Sequence, residues 1–119
     1  MTVLVFEDNL MWSARLKRSL ESLGHEAVVL TALPEPLPAA EAAIVNLGSE
    51  RMPVEAVQAA LRGRGVRVIG HAGHKEKGLL DRGREAGCDA VVSNSTLTFR
   101  LDKVLEGTAN PPEMDEDDE

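Results

Sequence analysis

The chain has 119 residues, 43% of them hydrophobic, a net charge of -7 and one cysteine. That is the length of a single domain with a sizeable core. No apolar run approaches the ~20 residues of a membrane span, and Cys88 alone cannot form an internal disulfide.

Aromatic residues are scarce: Phe6, Trp12 and Phe99, with no tyrosine. The expected core is therefore aliphatic. The charge is uneven. Residues 113–119 hold six acids and no base, and the rest of the chain carries 14 acids against 13 bases. Arg62, Arg64 and Arg67 cluster, as do Lys75, Lys77, Arg82 and Arg84. Acids or glycines interrupt both groups, so they read as solvated faces. No nucleic-acid partner and no membrane partner are expected. The N-terminus enters a strand pattern directly, without a signal-peptide pattern, and a cytoplasmic location is expected.

The elements alternate between short apolar runs and amphipathic ones, the sign of a parallel sheet covered by helices. Residues 2–7 read as a strand. Residues 10–23 read as a helix with Asn9 as N-cap, Gly24 as stop, and an inward stripe of Trp12, Leu16, Leu20 and Leu23. A second strand covers 26–30. Pro34, Pro36 and Pro38 then exclude a normal helix, leaving room for one turn at 38–41. Strands follow at 43–47, 66–70 and 90–93, with helices at 53–62 and 75–86. A last helix at 96–106, capped by Ser95, turns Leu97, Leu101, Val104 and Leu105 inward. Beyond Gly107, Asn110-Pro111-Pro112 and the acidic run read as a disordered tail. The expected division is a domain at 1–107 and a tail at 108–119, with no output domain after Gly107.

The motifs lie at strand ends. Val3-Leu4-Val5-Phe6-Glu7-Asp8-Asn9 is an apolar run closed by an acidic pair. Ala43-Ile44-Val45-Asn46-Leu47, Val66-Arg67-Val68-Ile69-Gly70-His71-Ala72 and Ala86-Gly87-Cys88-Asp89-Ala90-Val91-Val92 mark later strands. Together they resemble the receiver domain of two-component response regulators over about residues 1–107. The resemblance implies a flavodoxin-like, doubly wound parallel sheet of five strands in the order 2-1-3-4-5, with helix 2 short or missing. It also implies a site. Glu7 and Asp8 match the acidic pair that holds Mg²⁺ in that family. Asn46 matches the phosphoacceptor aspartate. His71 falls at the switch Ser/Thr, Val91 at the switch aromatic, and Asn94 at the lysine that contacts the phosphoryl group.

Four of these five positions are changed. A carboxamide oxygen is far less nucleophilic than a carboxylate. Asn46 also removes one charge from any metal site, and Mg²⁺ depends on carboxylate oxygens. Asn94 lacks the cation that would neutralise phosphoryl oxygens. The expectation is a stand-alone pseudo-receiver with no catalytic residue: a phosphorylation-independent regulatory interaction module in signalling, with no required cofactor. The alternative is a small-ligand or divalent-cation sensor that reuses the vacated pocket through Asp8, Asn46 and His71. A hydrolase is a third reading, but it lacks a nucleophile and base at credible spacing.

Several residues carry two readings. Glu7 and Asp8 are a residual cation site, with Asp8 the better ligand, or acids left at a strand-to-helix turn. His71 and His74 are a metal or pH-sensing pair, or a pocket filler and a surface residue. Cys88 sits in an apolar run and reads as structural rather than catalytic. Phe99 lies off the inward stripe and reads as an interface anchor. It would serve a protein partner or a second copy through the face formed by 75–86, 90–93 and 96–106, which commonly mediates dimerisation in receivers.

Overall fold

Short runs of Val, Ile, Leu and Ala become strands here because helices cover both faces of the sheet. They are β1 (Thr2–Phe6), β2 (Glu26–Leu30), β3 (Ala42–Asn46), β4 (Arg67–Ala72) and β5 (Ala90–Ser93). In the computed structural model, which describes residues 1–107, all neighbouring strands are parallel in the order β2-β1-β3-β4-β5. This is the doubly wound topology that the resemblance implies. Residues 108–119, including the expected acidic tail, lie outside the described residues.

The connecting helices are α1 (Leu10–Ser22), α2 (Val54–Leu61), α3 (Lys77–Glu85), α4 (Asn94–Phe99) and α5 (Leu101–Glu106). Alternation along the strands sorts the core into two layers. Val3, Val5, Ile44 and Ile69 pack with Leu16 and Leu20 of α1 and with Leu97 and Leu101 of α4 and α5. Leu4, Phe6, Val45 and Leu47 pack on the other face with Val57 of α2 and Leu80 of α3. Each fully buried leucine contributes about 2 kcal/mol.

Asn9 caps α1 as its sequence position predicts. Its Oδ1 accepts from the Met11 and Trp12 N–H groups, both at 3.0 Å, which is worth about 1 kcal/mol. Gly24 follows the helix at φ +88, where a side chain would be strained. Leu23 was expected to point inward. Instead it is 44% exposed, because α1 ends at Ser22 and Leu23 falls past the last full turn.

As the three prolines predict, no helix forms between β2 and β3, and the one turn for which residues 38–41 had room is absent. Residues 31–41 instead run irregularly and seat Leu37 in the core. The helix expected at 96–106 begins at Asn94 and breaks at Arg100, whose φ of -130 and ψ of 33 leave the helical range. Its cap is Ser93, not Ser95. The Ser93 Oγ accepts from the Thr96 N–H at 3.0 Å, whereas Ser95 already lies within the first turn. Among the described residues no helix is long and apolar enough to cross a membrane.

Candidate functional site

In a parallel doubly wound sheet, the strand C-termini gather side chains from distant parts of the chain. β1 delivers Glu7, β3 ends in Asn46, β4 carries His71 opposite Asn46 in register, and Asn94 follows β5. Glu7 has the strand parity of Val3 and Val5, which places it on the α1 side of the sheet, and it is fully buried.

The Glu7 carboxylate is held from three directions. Its Oε2 accepts from the Asn46 Nδ2 amide at 2.8 Å and from the Asn9 N–H at 3.2 Å. Its Oε1 faces the His71 Nε2 at 3.6 Å. Burial pushes the carboxyl up, but the His71 imidazole, the Asn46 amide and the Asn9 N–H outweigh it and hold it below the usual glutamate range. The 3.6 Å gap exceeds hydrogen-bond length, and neither Oε1 nor Nε2 has a hydrogen-bond partner.

His71 is buried and fixed by its other nitrogen. Its Nδ1 lies 2.7 Å from the Asn94 Oδ1. A carboxamide oxygen only accepts, so Nδ1 is the donor. The Trp12 ring lies 5.8 Å from the imidazole at a tilt of 46°, and the Arg15 guanidinium caps Trp12 at 5.9 Å from the ring centroid. A column thus runs from solvent at Arg15 through Trp12 and His71 to Glu7.

Asn46 spends both ends of its amide. Nδ2 donates to Glu7, and Oδ1 accepts from the Gly48 N–H at 2.9 Å, closing a local turn. Asp8 is tied differently: its Oδ2 accepts from the Ser49 hydroxyl at 2.9 Å, and the Ser49 Oγ accepts from the Met52 N–H at 3.2 Å. Sequence reasoning did not single out Ser49. Its signal was the turn composition of Asn46-Leu47-Gly48-Ser49.

The other candidates lie apart from this cluster. Val91 packs in the opposite layer with Leu47, and His71 faces the α1 side. Phe99 ends α4 at 82% exposure and borders a groove with Ser19, Leu23 and Asp102. His74 is exposed. His25 contacts the terminal amine of Met1 at 3.1 Å. The Cys88 thiol is pushed up to about 11, mainly by burial and also by Asp89, which leaves little thiolate for chemistry.

The donor set does not fit Mg²⁺. That ion needs near-octahedral oxygen ligands. Here Glu7 Oε2, Asn46 Oδ1 and Asp8 Oδ2 already accept internal hydrogen bonds, and Glu7 Oε1 faces an imidazole. Among the described residues no group of three or more His, Cys, Asp or Glu could hold a metal ion.

No protein-family model matches the chain, and no curated protein matches it by sequence. Solved structures do match. A response regulator receiver protein from Burkholderia phymatum is similar at 25% identity and a TM-score of 0.73, over 92% of this chain and 98% of that one. A DNA-binding response regulator of the LuxR family from Staphylococcus aureus aligns at 18% identity and a TM-score of 0.73, again over 92% and 98%. The receiver domain of the TMAO respiratory system response regulator TorR aligns at 20% identity and a TM-score of 0.72, over 91% and 98%. With the strand order, these likenesses show that the chain has the flavodoxin-like fold of response regulator receiver domains.

Proposed function

We propose that this domain is a pseudo-receiver: a signalling module that works without aspartyl phosphate, by presenting a fixed surface to a protein partner. The likeness to response regulator receiver domains supports a regulatory role in signalling. The observation that carries phosphate independence is the Asn46 amide donating to Glu7 at 2.8 Å. An aspartate there could not donate, and it would place a second anion against a buried one. The amide takes the place of the nucleophile and bonds the carboxylate beside it. The exposed Phe99 at the end of α4 is the anchor we assign to the docking face, which extends over α3, β5, α4 and α5.

Incubation with a small acyl phosphate donor, read by intact mass, tests the reading. No phosphorylated species is expected, and a stoichiometric adduct would end it. A second reading, a small-ligand sensor, draws on the unpartnered Glu7 Oε1 and His71 Nε2. A saturable rise in melting temperature with an added divalent cation would favour that sensor.

A further inference from the structure

The sheet ends in β2 on one side and β5 on the other, and the two edges differ in cover. On β5, Val91, Val92 and Ser93 are buried. On β2 no residue is buried: Glu26 is exposed, and Ala27, Val28, Val29 and Leu30 are each partly exposed. No helix follows β2 to cover it. The strand also lacks the features that blunt an edge. Ala27-Val28-Val29-Leu30 holds no charge, proline or glycine, and its register on β1 runs without a bulge.

In a parallel pair, alternate residues of a strand point their backbone groups at the neighbour. Glu26 donates its N–H to the Met1 carbonyl, and the Leu30 carbonyl accepts from the Glu7 N–H, so Glu26, Val28 and Leu30 face β1. The N–H and C=O groups of Ala27 and Val29 therefore point outward, and no hydrogen bond among the described residues takes them. His25 spends its N–H on the Leu20 carbonyl, and Thr31 lies past the strand in a bend. The open ladder is thus Ala27 and Val29.

This ladder is complementary to itself. A two-fold axis normal to the sheet at Val28 sets β2 antiparallel to its copy, with Ala27 of one chain opposite Val29 of the other. Each such pair exchanges both N–H···O=C bonds, so every free group of the ladder finds a partner. A shifted register would set Ala27 or Val29 against His25 or Thr31 instead.

The helix above this edge fits the same axis. Ser19 and Ser22 border the groove against α4 and α5, while Leu16 and Leu20 face the sheet. At about 3.6 residues per turn, the opposite flank of α1, on the β2 side, carries Leu10, Ala14, Lys17 and Glu21. All four are exposed, and Leu10 is 74% exposed. Neither Lys17 nor Glu21 has an ion-pair partner among the described residues. The flank thus joins apolar surface to one charge of each sign, and run antiparallel against its own copy it meets no net charge.

We infer that β2 is an interface between two copies of this chain, joined edge to edge into one continuous sheet with the α1 flanks packed across the seam. The occupant is a second copy because the ladder and the flank each match their own antiparallel image. The inference rests on the sheet edge and not on the pseudo-receiver reading. It leaves the face around Phe99 free, so the pair displays that face twice.

Residue-resolved amide exchange in the full chain, with sedimentation velocity over a concentration series, tests this. The parent chain is expected to sediment as a dimer. The Ala27 and Val29 amides should exchange slowly in proportion to the dimer present. Val29→Pro removes a donor that faces away from β1, so β2 keeps its bonds to β1, and dimer affinity should fall about tenfold to a hundredfold. Ala14→Glu sets bulk and like charges at the seam from an exposed helix position and should weaken the dimer about tenfold without unfolding the chain. Phe99→Ala, on the other flank of α1, should change nothing. A chain that stays monomeric up to about 1 mM would overturn the inference. So would a dimer whose Ala27 and Val29 amides exchange fast, or one that Phe99→Ala abolishes. Slow exchange of both amides in a monomer would overturn it too, since another segment would then hold the edge. The exchange of the parent chain decides the case even where the proline variant fails to fold.

Discussion

The Asn46 side chain donates a 2.8 Å hydrogen bond to the buried Glu7 carboxylate, across 39 residues of sequence. The amide supplies a donor where a phosphoacceptor would supply a second anion. Much of the behaviour expected of this domain follows from that one contact.

Asn46→Asp replaces the donor with a like charge beside Glu7. The variant should lose roughly 1–3 kcal/mol at neutral pH, read as a lower urea midpoint with unchanged slope. Added Mg²⁺ should restore part of that loss, because two adjacent carboxylates with Asp8 form an oxygen site. The parent chain should show no such rescue. A variant as stable as the parent would mean that the amide contact contributes little.

Acid should weaken the fold through Glu7. Its carboxyl titrates below the usual range when folded and near ~4.3 when unfolded. The unfolded chain therefore binds the proton first as pH falls. The stabilisation is complete above the unfolded value and is lost as pH drops through the folded one. Glu7→Gln should flatten this part of the stability profile. Urea midpoints between about pH 6 and 3 for both proteins check it, and equal slopes would contradict it.

His71→Ala removes a buried ring and leaves the Asn94 Oδ1 without its donor. A loss of about 2–4 kcal/mol is expected. The emission of Trp12 should also shift, because its ring lies 5.8 Å from the imidazole. A stability loss without an emission change would mean that the two rings are not coupled.

The Leu47 side chain lies between two glycines. A Cβ on Gly83 would meet Leu47 Cδ1 at 2.9 Å and Val91 Cγ2 at 3.2 Å, and one on Gly70 would meet Leu47 Cδ2 at 2.9 Å. Gly83→Ala should therefore cost about 1–3 kcal/mol despite the better helix propensity of alanine. In a Leu47→Ala background the same change should cost far less. A double-mutant cycle measures the difference, and additivity would refute the contact.

The backbone plan was legible because its signals are local. Alternating apolar runs gave the five strands, Asn9 gave the cap of α1, and three prolines forbade a helix between β2 and β3. Strand parity, read one residue further, would also have put Glu7 on the α1 side with Val3 and Val5. The Ser93 cap and the break at Arg100 were not legible, since both depend on how β5 enters its helix. The pairing of Glu7 with Asn46 and His71 depends on three strand ends that only the folded sheet brings together. The separation of Val91 from His71 likewise follows from their opposite parity on β5 and β4. Family positions alone do not reveal it.

Fluorescence of Trp12, the only tryptophan, tests the central claim most directly. Its ring touches the His71 side of the cluster, so a ligand entering there should alter the emission. The protein is titrated first with Mg²⁺ and then with beryllofluoride, a phosphoryl mimic. The account predicts no saturable change with either. A saturable response to beryllofluoride would contradict it, because the site around Asn46 would still recognise a phosphoryl group.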